Sequence, residues 1–299
     1  MEWLKRDNCR LIPLTDDAYP ALLREIADPP LVLYAHGNPE LLRQTQLAIV
    51  GSRNPTPLGR ETAFDFASSL AHRGFTITSG MALGIDAAAH QGALNANRAT
   101  IAVAATGLDI VYPRTNQRLA DDIVDAGVII SEFAIGTPPR REHFPRRNRI
   151  ISGLALGTLV VEAASRSGSL ITARLAGEQG REVFAIPGSI HSPNARGCHQ
   201  LIKQGAKLVE TIDDIMSEFE WLSPRITTTA TDKPQEAAHV SIESSHKKLL
   251  ELVDFAPISV ENITERSGLT AEAVSFILLQ LELRGLVQTT PGGYYSRIA

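Results

Sequence analysis

From Leu47 onward, short apolar runs recur at regular intervals: Leu47–Val50, Phe75–Thr78, Thr100–Ala104, Val128–Ser131, Thr158–Val161, Glu182–Ile186 and Lys207–Val209. Apolar and polar positions do not alternate within them, which is the signature of strands buried on both faces of a parallel sheet. Segments of helical length, such as Ile85–Ala96 and Leu170–Gly180, fill the intervals. Strand and helix in alternation predict an α/β fold over residues 45–220: an extended Rossmann-like, doubly wound, mainly parallel sheet. Before it, residues 1–44 are punctuated by Tyr19-Pro20, Pro29-Pro30 and Gly37-Asn38-Pro39, and read as a short helical or irregular preface packed on the sheet.

Past Trp221 the pattern stops. Ser223 to Ala238 holds few large apolar residues, so residues 221–240 read as a flexible linker. Helical periodicity returns at Ser244–Phe255, Val260–Ser267 and Ala271–Arg284, and Leu286–Thr290, Pro291-Gly292-Gly293 and Tyr294–Ile298 form a hairpin pattern. Three helices and a wing predict a small winged-helix domain over residues 241–299.

Composition narrows the function. At 299 residues with 43 % hydrophobic content and a formal net charge of −4, the chain is globular, and its mild acidity argues against non-specific wrapping of duplex DNA. No apolar run approaches a membrane span and Met1–Pro20 is not built like a signal peptide, so a cytoplasmic protein without membrane insertion is expected. Cys9 and Cys198 cannot make a disulfide framework.

Against that acidic background, Arg140 to Arg149 places five arginines and Phe144 within ten positions. Guanidinium groups give bidentate donors to phosphate, and a ring among them stacks on an unpaired base, so the segment suits a single-stranded nucleic acid; the alternative is a solvated charge run or a loop whose Phe144 plugs the core. In an open α/β sheet the turns after the strands converge, which brings Gly51-Ser52-Arg53, Ser79-Gly80, Thr106-Gly107, Arg146–Arg149, Ser165–Ser169 and Pro187-Gly188 to one rim. Gly51, Ser52 and Arg53 on the first βα turn suit a phosphate at the start of the next helix, against the alternative of a tight turn with a solvated arginine. Ser167, Gly168 and Ser169 repeat the arrangement before Leu170, where they also suit an ordinary cap.

Other chemistries lack their residues. Asp86 and His90 are spaced for a metal, but an Asp here also caps a helix, and no third ligand sits at a telling spacing; His191, Cys198 and His199 read as loop residues, and no metal is expected. Neither a Gly-x-Gly-x-x-Gly nor a Gly-x-x-x-x-Gly-Lys-Ser/Thr motif occurs, so no dinucleotide or nucleotide cofactor is expected. The nucleophile elbow of a hydrolase is also missing.

Taken in order, Ala48-Ile49-Val50-Gly51-Ser52-Arg53, Ser79-Gly80-Met81-Ala82-Leu83-Gly84-Ile85-Asp86, Gly107-Leu108-Asp109-Ile110-Val111-Tyr112-Pro113, Phe144-Pro145-Arg146-Arg147-Asn148-Arg149 and Ser167-Gly168-Ser169-Leu170-Ile171-Thr172-Ala173 resemble the signatures of the DNA-processing protein A family, also called DprA or Smf. The likeness covers about Tyr19 to Met216. It implies a non-catalytic homodimer that binds single-stranded DNA, protects incoming strands and hands them to the RecA recombinase during natural transformation. Gly51, Ser52 and Arg53 would then hold backbone phosphate, and Phe144, Arg146, Arg147, Asn148 and Arg149, with Ser167, Gly168 and Ser169, would line the strand's path. Family members usually carry a longer helical region before the Tyr-Pro pair, where Met1–Ala18 stands here, so the preface reads as truncated; Phe133 replaces a more usual tyrosine. The would-be recognition helix Ala271–Arg284 carries Glu272 and Glu282 against a single Arg284, which favours protein contact or self-regulation over duplex reading, with Lys247, Lys248 and Arg266 leaving weak DNA binding open. The competing enzyme reading is a nucleotide phosphoribohydrolase on a related sheet, suggested by Arg147-Asn148-Arg149, Gly157-Thr158 and Val161-Glu162; its Pro-Gly-Gly-x-Gly-Thr is absent at Ser152–Thr158. A third reading is a pure scaffold that works through the winged helix.

Overall fold

The computed structural model describes residue 3 and residues 8–222, 246, 249–250, 252–290 and 293–298. The chain divides into two units, Met1–Thr229 and Ala230–Ala299. Elements of the first unit run β1 (Cys9–Pro13), α1 (Ala21–Arg24), β2 (Val32–Gly37), β3 (Gln46–Gly51), α2 (Pro57–His72), β4 (Thr76–Ser79), α3 (Ile85–Asn95), β5 (Thr100–Val103), α4 (Gln117–Ala126), β6 (Val128–Ser131), α5 (His143–Leu154), β7 (Gly157–Val161), α6 (Ser169–Glu178), β8 (Glu182–Ala185), α7 (Arg196–Lys203), β9 (Lys207–Leu208) and α8 (Ile212–Met216). Among the described residues, nine strands form one sheet in the order β1-β2-β6-β5-β4-β3-β7-β8-β9.

The seven predicted strands are β3 to β9, and every pairing among them is parallel. Their unbroken apolar runs follow from burial on both sides. In β3, Ala48 and Val50 face a core shared with Ile150, Leu154 and Ala173 of α5 and α6, whereas Leu47 and Ile49 face one shared with Ala67 and Leu70 of α2 and Ala89 of α3. Each fully buried Leu or Ile side chain is worth about 1.5–3 kcal/mol, so both helical layers are held by the same strands.

The preface departs from expectation. Far from being helical or irregular throughout, it supplies β1 and β2, an antiparallel pair that extends the sheet beyond β6. Val32 to Gly37 alternates as a half-covered strand does: Leu33 and Ala35 are fully buried, while Tyr34 and His36 turn the other way and meet the edge of the Trp3 ring at 6.0 and 6.3 Å. The Pro-Pro and Asn-Pro pairs lie outside β2, so they bound the strand without breaking it.

In the second unit, His246, Leu249, Leu250 and Leu252 are helical, followed by β10 (Ile258–Ser259), α9 (Val260–Ser267), α10 (Ala271–Leu283), β11 (Val287–Thr290) and β12 (Tyr294–Arg297). Ser259 and Thr270 cap the two later helices through Asn262 N–H and Ala273 N–H, and the strands pair in the order β10-β12-β11. Leu249, Val253, Ile263, Val274, Leu278, Leu281 and Val287 close the core of this winged helix. The expected linker at Ser223–Ala238, Lys247, Lys248 and the wing turn Pro291-Gly292 lie outside the described residues. No described helix is long and apolar enough to cross a membrane.

Candidate nucleic-acid interface

The chain winds outward from β3 through β4, β5 and β6, then returns to place β7 on the other side of β3. The reversal leaves a crevice beyond the carboxyl ends of β3 and β7, the position where open α/β sheets take their ligands. Gly51 ends β3 there. A Cβ on it would lie 1.9 Å from the Val161 carbonyl oxygen, so only glycine lets the two strand ends approach this closely.

The turn that follows is more committed than its sequence suggests. Ser52 N–H donates to the Glu162 carbonyl at 2.7 Å, and Ser52 Oγ accepts Asn54 N–H at 3.1 Å. The next helix, α2, does not begin until Pro57; Thr56 caps it, and the Glu162 carboxylate accepts Thr56 N–H at 2.8 Å. A phosphate at the start of that helix would meet this carboxylate, so the expected placement is corrected: the turn offers Arg53 and the edge of Ser52, not the helix N-terminus. Glu162 holds φ at +52, an unfavourable backbone region for a non-glycine residue at the end of a strand.

Arg140 to Arg149 also departs from the loop reading, because His143 to Leu154 form α5. Pro145 sits in the first turn, where its missing N–H costs nothing. Helical periodicity then sorts the arginines. Arg140, Arg141 and Arg146 are exposed, whereas Arg147 and Arg149 are buried. Arg149 Nη2 pairs with Glu132 at 2.6 Å and its Nε with Asp28 at 3.1 Å; Arg146 pairs with the same Glu132 oxygen at 3.1 Å. These two arginines are spent on holding α5 to the end of β6, and neither lines the crevice.

Arg147 is different. It is 3 % exposed, its Nε and Nη1 have no hydrogen-bond partner, and no carboxylate lies within ion-pair distance among the described residues. Burial lowers its guanidinium to about 10, with Asp86 working to raise it and Arg53 to lower it, so it stays cationic at neutral pH. Asp86 is itself buried; burial raises its carboxyl above the ordinary range, against the pull of Arg147 and the Ala82 N–H that it accepts at 3.3 Å. Gly80 makes the arrangement possible, since a Cβ there would lie 1.6 Å from Arg147 Nη1 and 2.7 Å from Asp86 Oδ2. His90, four residues along α3, bonds Thr100 Oγ1 through Nδ1 at 2.7 Å; that hydroxyl donates to the Ile77 carbonyl, so Nδ1 carries the proton. Burial pushes His90 down to about 3. Asp86 and His90 meet no third ligand among the described residues. Elsewhere Cys198 is buried against the Val160 carbonyl, and His199 bonds the Gly188 carbonyl at 2.9 Å.

One cavity of about 710 Å³ gathers much of the expected site: Gly51, Ser52, Arg53, Phe144, Arg147, Asn148, Ser167, Gly168 and Ser169 all line it. Arg53 lies over the Phe144 ring at 5.2 Å. Ser167 Oγ and Ser169 Oγ are 2.7 Å apart, and Asn148 Nδ2 reaches the Gly168 carbonyl at 3.3 Å, which ties α5 to the start of α6. Tyr112, Arg141 and Arg166 line the same space; none was singled out individually from the sequence, although Arg141 lies in the Arg140–Arg149 run and Arg166 in the Ser165–Ser169 turn expected at the rim. Tyr112 lay in a quoted signature and Arg166 between two serines already singled out, so both carried a signal.

The switch-point crevice of this doubly wound sheet is thus edged by Arg53, Arg141, Arg147 and Arg166 and by the rings of Tyr112 and Phe144. The chain belongs to the DNA recombination-mediator protein A family, whose model matches residues 10–220, and the DprA winged helix domain matches residues 231–293. It is similar to Protein Smf of Escherichia coli, 43 % identical over 98 % of this chain and 78 % of that one. Among solved structures it is similar to DNA processing protein A from Streptococcus pneumoniae, with 45 % identity and a TM-score of 0.68 over 71 % of this chain and 75 % of the other. It also resembles DNA processing protein A from Helicobacter pylori, whose structure addresses its single-stranded DNA binding mode, with 30 % identity and a TM-score of 0.64 over 71 % and 96 % of the two chains.

Proposed function

We propose that this chain binds single-stranded DNA along the switch-point crevice, without catalysis and with slight sequence preference. Arg147 carries the reading. A guanidinium that is nine-tenths buried and forms no ion pair, with the Asp86 carboxylate pulling on it only from beyond pairing distance, is costly unless a further anion arrives, and the cavity it borders opens between Arg53, Arg141 and Arg166. Single strands offer that anion at every nucleotide, together with bases for Phe144. The single-stranded DNA binding addressed in the Helicobacter pylori relative supports the same assignment.

Residues 45–220, with the β1–β2 preface, form the DNA-binding domain in this reading, 221–240 a linker and 241–299 a separate module. The protein works in the cytoplasm as a homodimer that protects incoming strands and delivers them to RecA during natural transformation; the family's description as a recombination mediator supports that step. In the winged helix, the outward face of α10 presents Glu272 with exposed Phe276 and Leu279, a surface suited to protein contact better than to phosphate.

A gel-shift comparison of a single-stranded oligonucleotide, its duplex and a mononucleotide tests the core of the proposal. The single strand is expected to bind best, and residues 1–222 are expected to suffice. Equal binding of duplex and single strand would overturn the assignment, and release of ribose phosphate from a nucleoside monophosphate would favour the enzyme reading.

A further inference from the structure

Among the described residues that line the crevice, Asp86 is the only acid, set against Arg53, Arg141, Arg147 and Arg166. A carboxylate is out of place where phosphate is to bind. It stands in the first turn of α3 and is 6 % exposed. The groups acting on it are Arg147 from α5, Arg53 from the β3–α2 turn and the Gly80 and Ala82 N–H groups from the β4–α3 loop; His90, one turn along its own helix, is kept neutral by burial. Asp86 Oδ2 and Arg147 Nη1 converge above Gly80, 2.7 and 1.6 Å from where a Cβ would stand, without closing to an ion pair.

A phosphate seated on Arg147 brings a second anion to the same guanidinium. Where water is excluded, two anions around one cation leave a charge uncompensated, and the neighbour favours whichever of them can be neutralised. A phosphodiester is too strong an acid to take the proton. The carboxyl can take it, and burial already holds Asp86 above the ordinary carboxylate range. Once neutral, it stops repelling phosphate and its O–H becomes a donor.

We propose that Asp86 binds the strand as a neutral acid: seating a phosphate on Arg147 draws one proton from solvent onto the Asp86 carboxyl, whose O–H then donates to a phosphate oxygen. The inference rests on the strand-binding reading above and adds a proton as co-ligand of the same crevice. It accounts for an acid among four arginines. By linkage, one such proton makes affinity rise on acidification by at most about tenfold per pH unit.

The test follows the affinity of the full chain for oligo(dT) from pH 8 to pH 6, in the wild type and in Asp86→Asn, whose amide keeps the shape, carries no charge and donates without taking up a proton. The wild type is expected to tighten about tenfold more than the variant over that range, and the variant to bind about tenfold more tightly than the wild type at pH 8. Exposed histidines such as His72 and His191 are common to both proteins and cancel. Titration calorimetry in buffers of unequal ionisation enthalpy counts the proton directly: near pH 7 the wild type is expected to take up about half a proton more than the variant, the same quantity read as a slope. Should Asp86→Asn fail to fold, Asp86→Ser replaces it with the same expected loss of slope. Equal slopes would overturn the proposal. So would a variant weaker than the wild type by one constant factor at every pH, the mark of a carboxylate that only orients Arg147. Failure of the wild type to bind oligo(dT) at any pH would instead sink the strand-binding reading, and the bound proton with it.

Discussion

The Glu162 carboxylate accepts the backbone N–H of Thr56 at 2.8 Å and so seats an acidic side chain from the end of β7 against the first turn of α2. It also accepts the Thr56 hydroxyl, while its own carbonyl takes Ser52 N–H. One residue with a strained backbone thus fixes the β3–α2 turn that carries Arg53. Glu162→Ala is expected to lower stability by about 1–3 kcal/mol, the usual cost of losing hydrogen bonds to a charged group. Glu162→Gln keeps one acceptor and should lose less. Urea unfolding measures both. Equal losses would place the effect in the charge or the second carboxylate oxygen, because glutamine keeps the side-chain volume beside Gly59; wild-type stability of Glu162→Gln would place it in packing.

Gly80 is the second point of close approach. Alanine there drives a Cβ into Arg147 Nη1, the far end of a flexible side chain, so the guanidinium moves rather than the backbone. The expected result is a folded protein whose affinity for oligo(dT) falls about tenfold. Its plot of log affinity against log salt should flatten by roughly 0.7, the slope contributed by one phosphate on a single strand. Titrations at several salt concentrations decide it, since an unchanged slope would remove Arg147 from the phosphate contacts.

Two arginines that look alike in the sequence should part company. Arg53 is exposed and lies on the Phe144 ring, so Arg53→Ala is expected to leave stability within about 0.5 kcal/mol and to flatten the salt slope. Arg149 holds Glu132 in a buried pair, and its removal leaves that carboxylate, whose Oε1 already lacks a partner, to the exposed Arg146 alone and leaves Asp28 unpaired with α5. Arg149→Ala is expected to cost about 3–5 kcal/mol in thermal or chemical unfolding, with the salt slope of the surviving folded protein unchanged. Reversed outcomes would mean that the crevice runs along the other side of α5.

The difference between those arginines shows where legibility ends. Seven parallel strands, the crevice at the β3–β7 reversal and its Ser52, Arg53, Phe144 and Ser167 edge were readable, because two-sided burial and turn chemistry leave local marks. Arg146, Arg147 and Arg149 carry no such mark. Their fates depend on Glu132, Asp28 and Asp86, which lie far away in the sequence and meet α5 only in the fold. Glu162 was legible only as part of the enzyme-like pattern and not as the anchor of the β3–α2 turn, for the same reason: its partner is 106 residues away. The β1–β2 pair was hidden differently, since Pro29-Pro30 and Asn38-Pro39 drew the eye to breaks, while the alternation of Val32 to Gly37 between them marked the strand.

His90 makes the folded state acid-sensitive in a defined window. Burial holds its pKa at about 3, against 6.5 for the free side chain, with Arg147 adding to the shift. Between those values the unfolded chain takes up a proton that the folded chain refuses, so this contribution is complete above pH 6.5 and is lost as pH falls toward 3. The slope approaches 1.4 kcal/mol per pH unit, or about 2 kcal/mol between pH 6.5 and 5. Asp86 works in the opposite sense, because burial raises its carboxyl and the folded chain then gains its proton first. Arg147, at about 10, keeps its charge throughout. His90→Asn removes the imidazole while keeping an amide donor for Thr100, and leaves the Asp86 contribution common to both proteins. Subtracting the two stability curves therefore isolates the histidine: the wild type should lose about 2 kcal/mol more than the variant on going from pH 6.5 to 5 in urea titrations. Parallel curves would show that His90 takes up its proton inside the folded protein.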